Sequence, residues 1–115
     1  MAAQIDPGIR QSLQRGLVIP ACPLALNAGR KMDERRQRSL VRYYTAAGAG
    51  GLAVGVHTSQ FAIRDPEIGL FQPLLELARE ELVRADSTRH NALVTLGGIC
   101  GKTPQAVHAA ELLRS

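Results

Sequence analysis

Aromatic residues are almost missing from this 115-residue chain: two Tyr, two Phe and no Trp, 3% in all. Any core must therefore be built from aliphatic side chains. Cysteine is scarce too. Cys22 and Cys100 lie far apart and form no CxxC pair, so a disulfide framework is not expected. No apolar run approaches the roughly 18 to 20 residues that span a bilayer, which argues against a membrane partner. The first residues, MAAQIDPGIRQSL, lack the basic-then-apolar pattern of a signal peptide. Reduced thiols and no leader together predict a cytoplasmic protein.

What remains is ordinary for a globular domain: 45% hydrophobic and 21% charged residues, with a formal charge of +4. The length suits one small domain with a modest core. The charge is a mild bias towards anionic ligands. It is no nucleic-acid footprint unless it gathers on one face. The only basic cluster is Arg30, Lys31, Arg35, Arg36, Arg38 and Arg42 beside Tyr43 and Tyr44. Asp33 and Glu34 interleave with it, as on the solvated outside of a helix, so no nucleic-acid partner is expected.

The periodicity predicts a leading helix over about residues 5–15, with Asp6 as N-cap, Pro7 in the first turn and Gly16 as its stop. Three strand–helix units then fill about 16–115. The strand GLVIPACPLAL is apolar on both faces, as a parallel strand covered by helices should be. Pro20 and Pro23 limit its pairing. The helix MDERRQRSLVRYYTAAGAGG follows, with Leu40, Tyr44 and Ala47 on one face and Arg35, Arg38 and Arg42 on another. A second strand covers 51–56. A third helix carries Leu70, Leu74, Ala78 and Leu82 in one stripe. A third strand lies in NALVTLGGICG. The last helix has Thr103 as cap, Pro104 at its first position and Ala106, Ala110 and Leu113 inward.

Alternating apolar strands and amphipathic helices predict an α/β fold with a parallel sheet and right-handed crossovers. Three parallel strands leave both edges open, and a full (β/α)8 barrel needs about 250 residues. The expectation is a single domain, 1–115: a leading helix and the first three βα units of a partial (β/α)8 TIM barrel.

In such folds chemistry gathers at the carboxyl ends of strands. Here those ends carry Cys22, then His57, Thr58 and Ser59, then Cys100 to Lys102. A Cys22–His57–Cys100 metal site is disfavoured, because the first and third strands of a sheet are about 10 Å apart. His90 and His108 have no ligand spacing. Asp65 and Glu67 read as turn residues before acid–base ones, since Asp65 precedes Pro66. No metal and no cofactor is expected.

The pattern resembles the N-terminal part of the dihydrodipicolinate synthase and N-acetylneuraminate lyase family, from about Gly16 onward. GLVIPACPL is similar to the family's first strand, with Cys22-Pro23-Leu24 where Thr-Pro-Phe is common. KMD, AGAGGLAVG, Phe61-Ala62 and GGICGKTPQAV fall where the family's next elements do. The resemblance implies a lyase or aldolase that forms a Schiff base with pyruvate or a related 2-oxo acid. It also implies Thr58 and its amide as holders of the carboxylate, with Ser59 beside it. The family's Gly-Thr-Thr-Gly-Glu is replaced by Val56-His57-Thr58-Ser59-Gln60. His57 thus stands where the family has a proton-relay threonine, a part imidazole can play. The family's imine-forming lysine belongs to a later strand, and neither Lys31 nor Lys102 matches it. No catalytic residue is therefore expected within these residues, and the chain alone should be inactive. Homo-oligomerisation through the remaining barrel or the sheet edges is expected. The competing reading is a non-catalytic small α/β module that self-associates through those edges or binds a small anion.

Overall fold

The computed structural model describes residues 5–87 and 93–114. Among these residues the chain forms four α-helices and two strands. They run as α1 (Pro7–Arg15), α2 (Glu34–Ala46), β1 (Gly51–Val54), α3 (Phe71–Asp86), β2 (Val94–Gly97) and α4 (Thr103–Arg114). Two short 3-10 turns, His57–Ser59 and Phe61–Arg64, lie between β1 and α3.

Local chemistry sets the helix ends. The Asp6 carboxylate accepts from the amides of Gly8 and Ile9 at 2.9 and 3.2 Å, and Pro7 fills a position whose N–H has no helical partner anyway. Asp33 does the same for α2, accepting from Arg36 N at 3.0 Å. At the far end of α3, the Asp86 side chain accepts from Leu93 N at 3.0 Å and so ties the helix to the start of β2.

β1 and β2 pair in parallel, with Gly51 opposite Val94 and Val54 opposite Gly97, and α3 is the crossover between them. This overturns the expected partial (β/α)8 barrel of three βα units. Among the described residues the sheet has two strands, and the segment expected to be the first strand makes only isolated bridges, Ala21 to Ala53 in parallel and Leu26 to Met32 antiparallel. The cause can be followed bond by bond. Ala53 N donates to Pro20 O and Cys22 N donates to Ala53 O, which is correct parallel pairing. One step upstream the ladder needs an N–H from residue 20. Proline has none, and Val18 O is met by Gly50 N instead. One step downstream the carbonyls of Cys22 and Gly55 are taken by side chains, those of Thr58, Ser59 and Arg64. The segment lies beside β1 without becoming a strand.

The core gathers Cys22, Val41, Leu52, Val54, Phe71, Leu74, Ala78 and Leu82 between the helices and one face of the sheet. α2 and α3 pack on each other and on β1. On the opposite face the row Ala21, Ala53 and Leu96 is incompletely covered, and Leu96 is 47% exposed. The whole measures 39 × 36 × 19 Å, thin enough for a sheet with a single helix layer. No helix among the described residues is long and apolar enough to cross a membrane.

Two inward stripes differ from expectation. α2 buries Gln37 and Val41, with Tyr44 half-buried, and not a Leu40–Tyr44–Ala47 face. α4 buries Ala109 while Ala110 is exposed. α3 buries Leu74, Ala78 and Leu82 as the spacing predicts, and adds Phe71, Leu77 and Glu81.

Candidate functional site at the carboxyl end of the strands

β1 ends at Val54, and the next residue, Gly55, turns the chain with a φ of +71° where a side chain would meet the Phe71 ring 2.6 Å away. The next residues close a tight turn: Ser59 N donates to Val56 O and Gln60 N to His57 O, both at 3.0 Å. Gln60 then takes a φ of +68°, uncommon for a residue with a Cβ, and redirects the chain into the Phe61–Arg64 turn.

Two hydroxyls stitch this turn to the preceding segment. Ser59 Oγ donates to Cys22 O at 2.9 Å and Thr58 Oγ1 donates to the same carbonyl at 3.2 Å. Ser59 is wholly buried. With their protons committed to Cys22, both hydroxyls hold the corner together. His57 stays exposed, its ring edge-on to Phe61 at 5.9 Å between centroids. Among the three sequence-predicted site residues, it is the one whose ring faces solvent and can donate or accept.

The carboxyl end of β2 is joined to this corner by a residue the sequence reading passed over as loop. Arg64 Nη2 donates to Gly55 O at 2.6 Å and to Gly98 O at 2.5 Å, bridging the ends of both strands. Its guanidinium lies 4.0 Å from the Phe71 ring centre and 5.3 Å from that of Phe61. The available signal was an arginine between apolar Ile63 and a turn-forming Asp65, just after a strand. Asp65 itself closes its turn by accepting from Glu67 N at 2.9 Å.

Cys22 is fully buried. Its Sγ lies 3.5 Å from Pro23 O and 3.4 Å from Gln37 Nε2. Burial pushes the thiol up to about 11, against a smaller pull downward from the Gln37 hydrogen bond. A thiol of that kind is packing and not a nucleophile. Cys100 is half-buried, and no group of three His, Cys, Asp or Glu among the described residues could hold a metal. Lys31 and Lys102 are both exposed, without the desolvation that makes a lysine an imine former at neutral pH. His108 is exposed on α4, and His90 lies outside the described residues. The basic cluster divides. Arg30 and Lys31 point to solvent, while Arg38 and Arg42 reach across to Glu81 of α3.

A pH dependence follows from Cys22. A folded value raised above the unfolded one means its contribution is complete below about pH 8.5 and is lost as pH rises through about 11. Stability should therefore fall across that alkaline window, and Cys22→Ala should flatten the fall. Urea midpoints collected across the window, wild type against variant, would measure it; parallel curves would refute it.

No protein-family model, no curated protein and no solved structure matches the chain.

Proposed function

We propose that the chain binds a small 2-oxo acid, pyruvate or a close relative, at the carboxyl end of its parallel strands, as the N-terminal part of a dihydrodipicolinate synthase-like lyase. The supporting observation is the His57–Ser59 turn. It follows β1 after Gly55 and Val56 and is pinned through Cys22 by two hydroxyls, presenting the His57 imidazole near a strand end. Ligands of open α/β sheets collect outside strand carboxyl ends. In this reading Thr58 and Ser59 fix the corner, and the exposed Thr58 lines it. His57 offers a proton to the carboxylate or carries one away. The covalent step needs a desolvated lysine from outside these residues, so these residues supply binding and not catalysis.

A second reading is a non-catalytic α/β module that self-associates through its sheet edge. The exposure of Leu96 and Ile99, about half in each case, favours it. One titration separates the two. Pyruvate added to the chain should shift the amide resonances of residues 57–60 saturably, and His57→Ala should weaken binding about tenfold, the worth of one charge-assisted hydrogen bond. No saturable shift at tens of millimolar, with a mass that grows with protein concentration, would establish the module instead. Borohydride added with pyruvate should leave the mass of the chain unchanged; an adduct on Lys31 or Lys102 would contradict the assignment of the lysine to another segment.

A further inference from the structure

Arg64 poses a question that its strand-bridging role does not answer. Nη2 has two carbonyl acceptors, but Nε and Nη1 are sealed from solvent and have no acceptor among the described residues. Buried charged donors without partners are costly, and native structures rarely keep them. The Gly55 and Gly98 carbonyls and the faces of Phe71 and Phe61 offer partial negative charge. None offers a full counter-charge.

Arg64 also borders a cleft of about 480 Å³ between the start of α3 and the face of α4 that carries Ala109, and none of residues 57–60 lines it. Its walls are mixed. Phe71 and Leu112 are apolar, while Gln72, Gln105 and His108 can donate hydrogen bonds. The carboxylate in the cleft, Glu76, accepts from Gln72 Nε2 at 3.1 Å. Cation, neutral donors and apolar wall together suit an anion with a hydrocarbon body.

We infer that this cleft is a binding site for a small organic carboxylate, whose oxygens supply the acceptor that Arg64 lacks and whose apolar part lies against Phe71 and Leu112. The cleft shares no lining residue with the His57–Gln60 turn, although Arg64 touches that corner through Gly55 O and Phe61, and the inference does not depend on the 2-oxo acid reading. Because Nε and Nη1 are covered, entry displaces the side chains above them. The ligand therefore reports its arrival on the Arg64 Nε–H resonance itself.

Benzoate titrated into the whole chain is the probe. The Arg64 Nε–H correlation and the Gln105 side-chain amide should shift together and saturate, while residues 57–60 stay still. Arg64→Lys should weaken benzoate binding about tenfold or more, as loss of charge-assisted hydrogen bonds does. Arg64 bridges two strand ends, so that variant could fail to fold. His108→Ala and Gln105→Leu, both at exposed positions of α4, should each weaken binding severalfold in a chain that keeps its native spectrum. An immobile Arg64 Nε–H signal, or unchanged affinity in His108→Ala and Gln105→Leu, would overturn the site. An equal response to inorganic phosphate would overturn the assignment to an organic carboxylate. Shifts confined to residues 57–60 would overturn the cleft while leaving the strand-end site standing.

Discussion

Gln37→Leu should lower the unfolding free energy by about 3 kcal/mol, although it exchanges side chains of similar size. Gln37 is fully buried on α2. Its Oε1 accepts from Ala25 N at 2.7 Å, and its Nε2 donates to Pro23 O at 3.0 Å while approaching Cys22 Sγ at 3.4 Å. These bonds hold the proline-interrupted segment 20–26 against the helix layer, where a strand would have relied on ladder bonds. Leucine opens no cavity of consequence but strands the Ala25 amide and leaves Pro23 O with only the weak Cys22 thiol donor; an unpaired buried group costs about 1–3 kcal/mol. Two linked signs should accompany the loss. The Cys22 thiol should label faster through more frequent opening of segment 20–26, even though losing the Gln37 hydrogen bond moves the thiol further up. The Thr58 and Ser59 hydroxyls should lose their common acceptor, Cys22 O, so the strand-end turn should exchange its amides faster. Urea denaturation and native-state thiol labelling test both. A loss under about 0.5 kcal/mol, the range of ordinary surface changes, would mean that the segment holds itself in place.

The same residues show which parts of the structure were legible in the sequence. The helix starts at Asp6 and Asp33 could be read because an N-cap acts on amides only two or three residues away. The α3 stripe could be read because its burial follows the helical period. Gln37 could not, since hydrophobic periodicity does not count a buried amide. With Gln37 left out, the inward face of α2 falls on Leu40 and Tyr44 in place of Gln37 and Val41. The missing strand was half legible. Pro20 and Pro23 signalled broken pairing, but the sequence does not reveal that the next carbonyls along the ladder would be claimed by Thr58, Ser59 and Arg64. Those partners lie between 9 and 37 residues away. For the candidate site, the polar cluster at the end of β1 stood out against an apolar run. Its chemistry did not, because a hydroxyl committed to a carbonyl and a hydroxyl free for a ligand look identical in sequence. Arg64 was hidden for a related reason: its role depends on two strand ends, Gly55 and Gly98, that the fold alone brings together.

Glu81→Ala should cost about 2 kcal/mol at neutral pH, and the cost should fade in acid. Glu81 is 3% exposed and sits where α2 meets α3. Arg42 donates to it twice, Nε to Oε2 at 2.9 Å and Nη2 to Oε1 at 3.0 Å, and Arg38 Nη1 adds a bond at 3.1 Å. The Arg42 bonds hold the carboxyl below the usual glutamate range; burial opposes them, and Arg38 adds to the pull. A folded value below the unfolded one, about 4.3, places the stabilisation above that pH. It is lost as pH falls through the folded value. The magnitude stays below the 3–5 kcal/mol of a broken fully buried ion pair because the orphaned cations have recourse. Arg38 keeps Glu34 and Glu80, each at 2.9 Å, and Arg42 is 59% exposed and can turn to water. Glu81→Gln should recover part of the loss, since an amide oxygen still accepts from Arg42. Thermal unfolding of the three proteins between pH 3 and 7 checks the sign: the gap between wild type and Glu81→Ala should narrow steadily towards the acid end. A gap independent of pH would show that Glu81 acts through packing alone, and that α2 and α3 are held by their apolar seam without help from charge.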